Sequence, residues 1–88
     1  MKLNYEFVMR EIAGEKFLVP IGQAASVFDG IITVNDIGAF IFESIPLCES
    51  AGEIADRIVE AYDVDRETAL SDVNEFLTSL SEAGIKTE

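Results

Sequence analysis

VNDIGAFIFESI, residues 34–45, is where the chain changes character. Asn35 and Asp36 are strong helix starters. Ile37, Phe40, Ile41 and Ile45 then recur at helical spacing. Just upstream, GIITV (residues 30–34) is short and β-branched, the pattern of a strand. Asn35 is the natural N-cap of the helix, and Val34 and Ala39 stand at the two positions of a weak hydrophobic staple. Gly38 costs roughly 1 kcal/mol relative to alanine inside a helix, so either close packing or its nearness to the first turn must account for it. Pro46 is expected to end the helix. A β-branched strand thus runs straight into an apolar helix, and no catalytic residue type stands nearby.

Upstream, YEFVMREI (residues 5–12) alternates. Tyr5, Phe7 and Met9 face one way, Val8 and Ile12 the other. KFLVPI (residues 16–21) alternates through Phe17, Val19 and Ile21. Ala13, Gly14 and Glu15 lie between, so the pair reads as a β-hairpin with a short glycine turn. Pro20 cannot donate a ladder bond and belongs at an edge or a strand end. Gly22 to Ala25 opens a loop that Asp29 and Gly30 close. Ile31, Ile32, Thr33 and Val34 form the third strand.

Downstream, Ser50 with Glu53 three residues on is a capping box. Ile54, Ala55, Ile58, Val59 and Tyr62 form one apolar stripe of a second helix. Asp65 caps a third, whose wide stripe runs through Ala69, Leu70, Val73, Phe76, Leu77 and Leu80 to Gly84, a C′ glycine. The order predicts an α+β chain, winged-helix-like, with an N-terminal three-stranded antiparallel sheet followed by a three-helix bundle. The 88 residues are expected to form one domain with one modest core. No repeat, linker or low-complexity tract is apparent.

Composition narrows the function. No apolar run approaches the roughly 20 residues of a membrane span, and MKLNYEF lacks the apolar core of a signal peptide. The cytoplasm is the expected location. The net charge of −11 is uneven. Residues 1–28 hold Lys2, Arg10 and Lys16 against Glu6, Glu11 and Glu15 and sum to zero, so the whole −11 falls on the remainder. A surface of that sign repels phosphate backbones. It serves solubility or a basic partner.

Chemistry has little to work with. Histidine is absent and Cys48 is the lone cysteine, so the commonest general base and any zinc set are missing. Asp63/Asp65 and Glu49/Glu53 fall at helix N-termini, where acids complement the dipole. No serine sits in a nucleophile elbow, and no glycine-rich phosphate loop occurs. An acyl carrier would need a serine within Asp-Ser-Leu, whereas Ser50 lies between Glu49 and Ala51, and the hairpin speaks against that all-helical class. No cofactor or metal is expected. Phe40 and Phe76 read as core. Phe42 lies off the main stripe and suits either packing or a peptide groove.

With these elements placed, the chain resembles the PqqD-like proteins, the peptide-recognition domains called RiPP recognition elements. The resemblance spans REIAGEKFLVP, then ITVNDIGAFIFESI, then EIADRIVEAYDVDRETALSDVNEFLTSLSEAGI. Phe42 stands where tryptophan is common in the family, and PLCES replaces its usual Asp-Gly turn. The resemblance implies a non-enzymatic adaptor. Such a domain binds the leader peptide of a ribosomally made precursor by strand addition and presents it to a modifying enzyme, often a radical S-adenosylmethionine protein in relatives. Carried onto this sequence, the strand positions are Ile31, Ile32, Thr33 and Val34. The helix positions are Leu70, Val73, Asn74 and Leu77, with Leu70 and Asn74 at one margin of the stripe and Phe76 at the other. The alternatives are a winged-helix DNA-binding regulator, which would need a positive third helix, and a scaffold for some other peptide.

Overall fold

Ala13 and Gly14 both take positive φ, 53° and 84°. Two consecutive positive angles make a type I′ turn, whose twist matches the strands it joins. It closes β1 (Phe7–Ile12) onto β2 (Glu15–Pro20), with Ile12 opposite Glu15 and Phe7 opposite Pro20. The computed structural model describes residues 1–88. After the hairpin come α1 (Ala24–Val27), β3 (Ile32–Val34), α2 (Asp36–Ser44), α3 (Ala51–Ala61) and α4 (Arg66–Glu82). The sheet is antiparallel throughout, in the order β1-β2-β3. The class is α+β, as expected.

β3 is one residue shorter than the sequence suggested, and Pro20 explains why. Leu18 pairs with Ile32. In an antiparallel ladder, hydrogen-bonded pairs recur every second residue, so the next bonded pair would join Pro20 to Gly30. Proline has no amide to give. The ladder stops, and Ile31 lies just outside it, about half exposed at 53%.

Two further differences are local. The segment expected to be a loop holds the single turn α1, with Ser26 Oγ donating to the Gln23 carbonyl at 2.8 Å. One turn is too short to show periodicity. Phe28 anchors that segment, its ring centroid 5.0 Å from Tyr5 edge-on and 5.6 Å from Phe7. Beyond α2 the chain does not stop at Pro46 but tightens into a 3-10 turn, Ile45–Leu47. Pro46 sits in its first turn, where its missing amide leaves no bond unmade.

Each longer helix starts as its sequence signals. The Gly38 amide donates to Asn35 Oδ1 at 2.7 Å, the Glu53 amide to Ser50 Oγ at 3.2 Å, and the Thr68 amide to Asp65 Oδ1 at 2.7 Å. The Thr68 amide holds the Asp65 carboxyl below its ordinary range. Gly84, with φ of 92°, ends α4 beyond Ala83. The core joins α2, the 3-10 turn, α3 and α4 through Ile41, Ile45, Cys48, Ile54, Ala55, Ile58, Ala69 and Val73. Cys48 is buried, and its burial pushes the thiol pKa up. Ser44 is the one buried hydroxyl in this region. It donates to the Phe40 carbonyl at 2.8 Å and accepts from Arg57 Nε at 3.1 Å. Arg57 also lies over the Phe40 ring, which meets Tyr62 edge-on, so α2 and α3 are tied by polar and aromatic contacts together.

Candidate functional site

The site grows from strand parity. Within the hairpin the Ile21 amide donates to the Glu6 carbonyl at 3.1 Å, which extends the β1–β2 register by one pair. Bonded pairs alternate, so Glu15, Phe17 and Val19 turn their main-chain groups to β1. Lys16 and Leu18 turn theirs the other way, toward their partners Val34 and Ile32. Ile32 and Val34 are therefore the inward residues of β3. Thr33 aims its amide and carbonyl away from the sheet, along an edge that no strand covers, and Ile31 stands just beyond the end of that edge.

Side chains alternate the other way, between faces. Ile32 and Val34 share the half-buried face with Leu18, which is completely buried. Thr33 shares the outer face with its partner Phe17, and Ile31, beyond the strand, is exposed.

Beyond the end of β3, α2 and α4 form a groove of about 300 Å³. Asn35, Ile37 and Gly38 make one wall, and Asp72, Glu75, Phe76 and Ser79 the other. Asn35 follows Val34 directly, so the groove begins where the open edge ends. Gly38 lets the walls approach. A Cβ built there would stand 3.1 Å from Phe76 Cε1 and 3.3 Å from Asn35 Oδ1. This is the close packing that justifies a glycine inside α2.

The four sequence-chosen residues of α4 lie elsewhere on the helix. Val73 is fully buried, Leu70 and Leu77 are half-buried against the core, and Asn74 is exposed. The groove wall is the Phe76 margin. Asp72, Glu75 and Ser79 were not singled out from sequence, although with Phe76 they fall at helical spacing on one face. The signal that points to them is Gly38, which only the fold places opposite Phe76. A larger cavity of about 570 Å³ lies between the N-terminal segment, α1 and the end of α2, with Phe42 on its rim. It contains no residue of β3 or α4. Unlike the groove, it touches no residue of the open edge of β3 and meets α2 only near its C-terminal end. No cluster of three or more acidic, cysteine or histidine side chains has the arrangement of a metal site.

What this geometry can do is hold an extended chain. The edge offers unpaired main-chain donors and acceptors, and the groove beside it is large enough for side chains. No curated protein matches the chain. A solved structure, TbiB1 in complex with the TbiA(beta) leader peptide, superposes with a TM-score of 0.70 at 25% identity, over 96% of this chain and 92% of that one. The family model for coenzyme PQQ synthesis protein D (PqqD) matches residues 15–85, from the start of β2 to the buried Ile85. The chain belongs to the PqqD-like family.

Proposed function

We propose that this protein is a non-catalytic adaptor that binds the leader segment of a ribosomally synthesised precursor peptide and presents it to a modifying enzyme. The leader adds to β3 as a fourth strand, bonding to Ile31 and Thr33, and sets side chains into the groove against Phe76. The observation that carries this reading is the open β3 edge leading into the α2–α4 groove. Main-chain bonding supplies affinity that any extended peptide can use, and the groove supplies selectivity. The similarity to TbiB1, solved with a leader peptide, supports it. The modifying enzyme that fits best is a radical S-adenosylmethionine protein, working with this adaptor in the cytoplasm.

The test is isothermal titration with the leader half of the short precursor encoded nearest this protein's gene, with a scrambled peptide as control. Saturable binding to the leader alone is expected. Equal affinity for the scrambled sequence, or none for either, overturns the reading.

A further inference from the structure

The sheet has a second open edge. β1 is bonded to β2 on one side and borders no strand on the other. By the parity established above, Glu6, Val8, Arg10 and Ile12 turn their main-chain groups to β2. Phe7, Met9 and Glu11 turn theirs outward. At six residues this edge is twice as long as β3, and no proline or bulge interrupts it. Exposed edges of this kind invite pairing unless charge or shape forbids it.

We infer that β1 pairs with β1 of a second copy of this chain, antiparallel about a two-fold axis at Val8. Charge fixes both the occupant and the register. The residues that carry the −11 all follow position 28, while residues 1–28 sum to zero. The hairpin is the neutral end of an otherwise strongly anionic molecule. Two copies can therefore meet there without the repulsion that would oppose contact through their helices.

Centring the axis on Val8 sets Glu6 opposite Arg10 of the second copy, and Arg10 opposite that copy's Glu6. Phe7 then faces Met9 of the second copy in hydrogen-bonded pairs, which is what their outward main-chain groups require. Val8 meets its own counterpart. Opposite charges directly across strands stabilise a pair, and like charges oppose it. Moving the axis to Met9 sets Arg10 against Val8 and Glu11 against Phe7. Moving it to Arg10 sets two guanidinium groups face to face. Of these three registers, only the one centred on Val8 pairs the charges.

In the free chain Arg10 Nη1 donates to the Met9 carbonyl at 3.1 Å. Pairing replaces that exposed bond by the amide of the second copy's Phe7 and releases Arg10 to Glu6. The resulting six-stranded sheet leaves both β3 edges free at its ends, so this contact and leader binding do not compete.

Five residues a side bury far less than a standard interface of roughly 1,600 Å², so the dimer is weak, with Kd on the order of 100 µM. Sedimentation velocity of the full chain across that range tests it. The mean mass of the parent is expected to rise with concentration. Arg10→Glu and Glu6→Arg should each weaken association about tenfold or more, and the double exchange Glu6→Arg/Arg10→Glu should recover it to within about threefold. Amide exchange at Phe7 and Met9 should slow as concentration rises, while the inward amides of Val8 and Arg10 stay protected throughout. A parent that remains monomeric, single variants that associate like the parent, a double exchange that does not recover, or Phe7 and Met9 exchange that ignores concentration would each overturn the inference.

Discussion

Val73 and Leu77 look equivalent in the helical stripe of the sequence, but the fold separates them. Val73 is fully buried among α2, α3 and α4, whereas Leu77 is half-buried at the edge of the same cluster. Val73→Ala removes two carbons from a packed site and should cost about 2 kcal/mol, counting transfer and residual cavity together. Leu77→Ala removes more atoms, but from a site that water already reaches, and should cost no more than that. In a small domain either loss is a sizeable share of the total stability. Urea midpoints measure both. A Val73→Ala midpoint equal to the parent's would show that this position is not packed as described. Periodicity placed both residues on the apolar face, yet only the neighbouring helices set how deep each one lies. The N-caps were more legible. Asn35, Ser50 and Asp65 each bond the amide three residues on, because that contact is local and needs no tertiary partner.

At the scale of elements, the alternation of β3 separates fold from binding. Ile32 and Val34 bond inward to Leu18 and Lys16, while the main-chain groups of Thr33 point outward without a partner, so proline should have opposite effects at adjacent positions. Ile32→Pro removes an amide from the β2–β3 ladder, and a lost interior bond of that kind lowers the melting temperature. Thr33→Pro removes only an amide that faces away from the sheet, where the proposed leader strand would add. It should melt close to the parent and bind the leader roughly five- to a hundredfold more weakly, since one main-chain bond left unmade in a complex costs about 1–3 kcal/mol. Thermal melting and leader titration on the same two variants check this. Thr33→Pro that stays folded and binds like the parent would remove β3 as the docking edge. The strand's existence was legible in GIITV, but its parity was not. Parity depends on the two-residue turn at Ala13 and Gly14, twenty positions away, and on a register that passes through β2. The groove was hidden for a similar reason. Phe76 and Gly38 are 38 residues apart in the chain, and nothing local marks them as neighbours.

For the molecule as a whole, the distribution of charge selects among partners. A sheet with helices behind it is also an arrangement that can present a helix to DNA, and α4, the longest helix, would be the one to enter the major groove. Its charges forbid it. Arg66 is the only cation along α4, and its Nε is engaged by Asp56 Oδ1 at 2.8 Å. Asp65, Glu67, Asp72, Glu75 and Glu82 stand along or beside the same helix. The net −11 adds long-range repulsion from a polyanion, and no counterions are released to offset it. The chain should therefore show no binding to random duplex at physiological salt, and lowering the salt should not rescue it. Low salt strengthens attraction for a basic protein, but it lengthens the reach of repulsion for this one. Fluorescence anisotropy with a labelled duplex, titrated at two salt concentrations, measures this. Micromolar binding that tightens as salt falls would mean that a cationic face exists which these charges do not reveal, and it would return the protein to the DNA-binding class.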